Sequence, residues 1–228
     1  MDMDIFRAMF PSHHKPMARK SLLITGPKET CKTSLLFQIA TSLVAKSEDS
    51  VLFICVAKVD KVPLHVHQMP KIGAQSAKKI SLVYLKTYTD LIKYLAALFM
   101  HNQSLKGILI DGVESFLATV VENRDGLYKD CLLKLFALLN DTAGHFTAQG
   151  NGICHVAVTC DCKDELVEKA TFSSIGLHFF DSVVSSETCS IVDRKKGFRL
   201  TDSQDNKTFF YVEEDQIFLH HLSETIAS

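Results

Sequence analysis

Lys20-Ser21-Leu22-Leu23-Ile24-Thr25 runs into Gly26-Pro27-Lys28-Glu29-Thr30-Cys31-Lys32-Thr33 and leaves as Ser34-Leu35-Leu36. The first part is an apolar, β-forming run. The last opens a helix in which Leu35, Leu36, Ile39, Ala40, Leu43 and Val44 recur on one side. A short polar turn joins them, which is the outline of a phosphate-binding loop. Such a loop has glycine, four residues, glycine, lysine, then serine or threonine, because successive backbone N–H groups must converge on phosphate oxygens. The lysine reaches the terminal phosphates, the hydroxyl holds magnesium, and the positive end of the helix dipole faces the anion. Gly26, Lys32 and Thr33 fit. The second glycine is replaced by Cys31, which asks an L-residue to adopt a left-handed conformation at a cost of roughly 1–2 kcal/mol and places a Cβ where phosphate approaches. The loop reads as eroded.

A second segment supports the same architecture. Lys106-Gly107-Ile108-Leu109-Ile110-Asp111 is a short apolar strand ending in an acid, the arrangement that presents a carboxylate to loop-bound magnesium. The candidate nucleotide site is therefore Gly26, Pro27, Lys28, Glu29, Thr30, Cys31, Lys32, Thr33, Ser34 and Asp111. ATP is the expected ligand, with magnesium on Thr33 and Asp111.

With 228 residues, 46% of them hydrophobic, the chain can bury one substantial α/β core. A formal net charge of -1 removes any argument from global basicity, so nucleic-acid binding needs a local patch. Seven cysteines without a regular framework suggest a reducing intracellular compartment. No apolar run approaches the roughly 18 residues of a membrane span. His65-Val66-His67 and Cys160-Asp161-Cys162 lack further ligands at zinc spacing, so no zinc is expected.

Residues 1–19 read as an extended arm, with Phe6 and Phe10 as candidate anchors for a partner or neighbouring subunit, and 20–228 as one domain. Ser50 to Val56 and Ile80 to Tyr84 are further strands. Ala57 to Lys79 reads as a basic surface loop between them. A helix is expected from about Thr89-Asp90 and another from Leu127 to Ala143, followed by a buried strand from Ile153 to Thr159. Strands alternating with helices imply right-handed crossovers and a mostly parallel sheet with helices on both faces. Short apolar stretches at Phe179–Val184, Thr188–Asp193, Thr208–Val212 and Gln216–Leu222 predict antiparallel strands at the C-terminal end. Asp193 to Arg199 reads as a basic turn, suited to a solvated hairpin tip or to nucleic-acid contact.

This order of elements resembles the RecA-type recombinase core over about Ser21 to Leu222. More narrowly, Ile108-Leu109-Ile110-Asp111-Gly112-Val113-Glu114-Ser115-Phe116-Leu117 and Leu138-Leu139-Asn140-Asp141-Thr142-Ala143-Gly144-His145-Phe146 resemble the RecA-fold recombinase paralogue that partners the SWIM-type zinc-finger protein of the animal Shu complex. The resemblance implies nuclear homologous-recombination repair, with the SWIM-type protein and the strand-exchange recombinase as partners and single-stranded DNA as a further ligand. It makes Gly26, Lys32 and Thr33 the Walker A elements and Asp111 the Walker B acid. Active recombinases carry a glutamate just past the second strand, where Val56-Ala57-Lys58-Val59-Asp60 has none. They also carry a glutamine where Thr159-Cys160-Asp161 stands, so at most weak ATP hydrolysis is implied. The family's DNA-facing loops map to about Val120–Leu127 and Cys162–Gly176; with the basic turn they give Arg124, Lys163, Arg194, Lys195 and Lys196 as candidate DNA contacts.

Two other functions suit a P-loop. A DNA-stimulated ATPase needs another base, for which Glu114 is a candidate. A small-molecule kinase usually needs lid arginines, and none lies between Arg124 and Arg194. Substituting Cys31→Gly is expected to raise ATP affinity in an equilibrium titration; an unchanged affinity would mean that the cysteine does not limit the loop.

Overall fold

Strand β1 (Ser21–Gly26) is buried almost throughout, as a central parallel strand between two helical layers must be. In the computed structural model, which describes residues 20–45, 47–100, 104–120, 125–149, 152–162, 166–190 and 196–220, β1 pairs in parallel with β6 (His155–Asp161) on one side and β7 (Ser182–Ser190) on the other. Beyond β6 lie β5 (Leu105–Asp111), β2 (Ser50–Cys55) and β4 (Ile80–Tyr84), all parallel. Beyond β7 the sheet turns antiparallel through β8 (Lys196–Asp202), β9 (Lys207–Glu213) and β10 (Gln216–His220), and the two-residue β3 (His65–Val66) adds in parallel to β10.

Helices cover both faces. On one, Leu35, Leu36 and Ile39 of α1 (Lys32–Val44) pack with Phe53, Leu109, Phe198 and Phe210 from the sheet. On the other, α3 (Tyr88–Ala97), α4 (Val113–Leu117), α5 (Asp125–Gln149) and α6 (Leu166–Phe179) close a larger core around Phe116, Phe136 and Phe172. A single turn, α2 (Ala74–Ala77), precedes β4. The α/β class, the mostly parallel sheet and the antiparallel C-terminal strands agree with the sequence reading.

Several local expectations are corrected. Phe179 ends α6 instead of starting a strand; its ring and that of Phe180 pack against Phe136, and β7 begins at Ser182 and runs to Ser190. A short apolar run cannot by itself distinguish a helix end from a strand. The expected basic turn overlaps β8, where Phe198 stacks on Phe210 at 5.2 Å and Arg199 pairs with Glu187 at 2.5 Å. Lys196 is thus the first residue of a strand. Most of the span Cys162–Gly176 belongs to α6, and Ala57–Lys79 carries β3 and α2. Helix α3 starts at Tyr88 because Thr87 caps it: the Thr87 hydroxyl accepts from the Asp90 N–H at 3.1 Å and lies 2.7 Å from the Asp90 carboxylate. The arm with Phe6 and Phe10 lies outside the described residues, as do Arg124, Lys163, Arg194 and Lys195.

Candidate nucleotide site

Parallel register assembles the site. Gly26 at the end of β1 is level with Asp161 at the end of β6, and Asp111 at the end of β5 is level with Cys55 at the end of β2. These strand ends share one edge of the sheet, where ligands of open α/β sheets bind. Gly26 has φ 146, and a Cβ there would collide with the carbonyl and hydroxyl of Ser186 on β7, so this position takes only glycine. Cys31, the residue before α1, has φ 53 and ψ 25, the left-handed conformation that a glycine would adopt more cheaply. Its thiol packs against the α1-side core, and burial raises its pKa. Cys31 therefore holds the left-handed backbone that the pattern's second glycine would supply.

Within the loop, Thr30 is buried, with its hydroxyl 2.9 Å from the Pro27 carbonyl and 2.6 Å from the Ser186 hydroxyl. Lys28 and Glu29 are exposed at the tip. Ser34 faces away from the loop's interior chemistry, its hydroxyl accepting from the Leu64 N–H at 3.1 Å. Lys32 is 3% exposed. Its ammonium donates to the Gly26 carbonyl at 2.9 Å, to the Pro27 carbonyl and to the Thr30 hydroxyl at 3.3 Å, and pairs with the Asp161 carboxylate at 2.8 Å.

Thr33 and Asp111 meet: the Thr33 hydroxyl donates to Asp111 Oδ2 at 2.8 Å. Thr159 on β6 fixes the other oxygen, donating to Asp111 Oδ1 at 2.7 Å while accepting from the Gly112 N–H at 2.9 Å. The hydroxyl–carboxylate pair fits magnesium, which takes one or two protein oxygens beside waters and phosphate. The left-handed Cys31 and the N-terminus of α1 that follows it fit phosphate. Thr33 and Asp111 are the residues that would hold the metal, and Lys32 with the loop N–H groups the phosphates.

Two neighbouring acids complete the electrostatics. Glu114 in α4 accepts from the Asp161 N–H at 2.8 Å and from the Ser115 hydroxyl at 3.1 Å. Burial pushes its pKa above the ordinary value, aided by the Asp161 charge and opposed by these hydrogen bonds. Burial likewise raises Asp111, against the hydroxyls of Thr159 and Thr33. Asp161 is the site residue that motif reading missed, because the phosphate-loop pattern does not extend to β6; its place at the end of a buried strand, on the edge shared with Gly26, was the available signal. Elsewhere, His65 Nε2 lies 2.9 Å from the Met69 carbonyl, His67 stacks on Phe218 at 4.7 Å, and the Cys160 and Cys162 sulfurs lie 3.6 Å apart.

A phosphate loop at the end of the first strand, a strand-end acid beside its threonine, and antiparallel strands beyond β7 define a RecA-type P-loop fold. A KaiC-like protein from the hyperthermophilic archaeon Pyrococcus horikoshii OT3 shares this fold with a TM-score of 0.62 at 14% identity, over 95% of each chain. In sequence, the chain is similar to ATPase SWSAP1 of Mus musculus, 27% identical over 147 residues, covering 63% of this chain and 50% of that protein. It is also 28% identical over 133 residues to ATPase SWSAP1 of Homo sapiens, covering 58% of this chain and 55% of that protein. The chain thus spans about half the length of the curated relatives it matches. No family model matches it.

The raised pKa of Glu114 fixes a sign. An acid harder to ionise in the folded state than in the unfolded one costs stability as pH rises above its ordinary value of 4.5. Glu114→Gln, whose amide can still accept from Asp161 N–H and donate to Ser115, is therefore expected to raise the melting temperature at pH 7–8. The gain should shrink to nothing as pH falls below about 4, where both states of the glutamate are protonated; thermal melts across that range test it.

Proposed function

We propose that this chain is a mediator of homologous-recombination DNA repair, a degenerate RecA-fold subunit that pairs with a SWIM-type zinc-finger protein and supports the strand-exchange recombinase in the nucleus. The observation that carries this reading is a conjunction: sequence similarity to ATPase SWSAP1 together with a phosphate loop whose Cys31 holds the left-handed backbone but whose lysine is engaged by Asp161. In this reading ATP and magnesium bind weakly, through Lys32, Thr33 and Asp111, and tune assembly instead of driving turnover. Single-stranded DNA is a secondary ligand, met by the basic positions Arg124, Lys163, Arg194, Lys195 and Lys196. Co-expression with the SWIM-type zinc-finger protein is expected to yield a co-purifying complex. Well-folded protein that ignores this partner would overturn the proposal.

One observation favours a second reading, a working DNA-stimulated ATPase. Glu114 is a half-buried acid anchored to the backbone beside Lys32's partner, Asp161, and such an acid can act as a general base once its pKa is raised. Turnover abolished by Lys32→Ala would support it; bound ATP that is not hydrolysed, with or without DNA, would exclude it.

A further inference from the structure

We propose that the Asp161 carboxylate is a built-in surrogate for a nucleotide phosphate, holding Lys32 in the loop so that a nucleotide enters only by exchanging with it. The inference rests on the reading of the loop as a nucleotide site and names how that site is controlled.

A lysine ammonium has three N–H donors and no acceptor. Those of Lys32 face two carbonyls, a hydroxyl and the Asp161 carboxylate, all contributed by the chain itself. A phosphate oxygen can reach this ammonium only when one of the four withdraws. The carbonyls of Gly26 and Pro27 belong to the loop backbone, and Thr30 is fully buried against Ser186. Asp161 is the partner able to leave, since its side chain is 35% exposed while that of Lys32 is 3% exposed.

Asp161 is also held in place from its backbone. Its N–H donates to Glu114, and the next residue, Cys162, donates its N–H to the Gly26 carbonyl at 3.0 Å. Both bonds fasten the end of β6 to the loop and to α4, so the carboxylate is presented to Lys32 by structure on either side of it. A surface ion pair between mobile side chains has no such support.

Asp161 pairs with the buried ammonium at 2.8 Å and the Asp111 charge also acts on it, so an incoming polyphosphate meets two carboxylates beside Lys32. Magnesium offsets this on the Thr33–Asp111 side. On the Lys32 side the competing carboxylate itself must go. The ligand class is therefore a magnesium-bound polyphosphate, and its apparent affinity is lowered by the fraction of molecules in which Lys32 is paired.

The test is Asp161→Asn, with Asp161→Ser as a second variant should the amide disturb the strand end. Binding of Mg-ATP is measured by calorimetry, and thermal stability by melts without nucleotide. The expected result is tighter binding by about tenfold, the factor for a tenfold excess of the paired form, with a lower melting temperature in the absence of nucleotide because Lys32 loses its counter-charge. Adding Lys32→Ala to the variant should abolish the gain. Equal, measurable affinity in wild type and variants would overturn the surrogate role while leaving the nucleotide site intact. No binding at millimolar Mg-ATP by folded variants would overturn both the surrogate role and the nucleotide part of the proposed function. Pulldown of the SWIM-type partner reports separately on the rest of that function.

Discussion

Six parallel pairings from Ser21–Val156 to Gly26–Asp161 hold β1 against β6. The meeting of Lys32 with Asp161 follows from that alignment. A shift of one residue would turn side chains to the opposite face of the sheet and carry Asp161 away from Lys32. The alignment is enforced by Leu22, Leu23 and Ile24, whose side chains enter the two helical cores on alternate sides and are at most 6% exposed. Packing of apolar residues thus sets the spacing of the charged ones at the strand ends.

The loop also illustrates how an ammonium survives inside a protein. Burying a charge is tolerable only when oxygen ligands replace water. Gly26 and Pro27 can offer carbonyls because the backbone swings through φ 146 at Gly26 and returns through the left-handed Cys31. The same backbone shape that suits an anion from its N–H side suits a cation from its carbonyl side. Such a turn accommodates a cysteine in the left-handed conformation at the position where the phosphate-loop pattern has its second glycine.

How much of this was legible in the sequence varies with the kind of signal. The buried strands were readable because their continuous apolar runs, bounded by polar residues, are too short for a core helix and suit a strand covered on both faces. Asp111 followed from its strand. The C-terminal hairpins were readable in kind but not in register. Phe179 and Phe180 look like the start of β7 because an aromatic pair lies just ahead of Val183 and Val184, yet the helix carries through Phe179 to fill the space against Phe136. Basic residues at 194–196 suggest a turn, while the alternation Phe198-Arg199-Leu200 that makes β8 is too short to stand out from it. Asp161 was invisible as a lysine partner for another reason: two residues 129 positions apart become neighbours only through strand order, which a local motif does not encode.

One further consequence lies at the far rim of the sheet. β3 has only two residues and a single neighbour, β10, so its own ladder is slight. Gln38, buried in α1, grips this segment with both ends of its amide, donating to the Pro70 carbonyl at 2.9 Å and accepting from the Val66 N–H at 3.1 Å. Ser34 on the same helix adds the Leu64 contact. The rim is thus moored to the helix that begins at the phosphate loop, and its hydrogen-exchange protection should be inherited from that helix rather than from the strand pairing beside it.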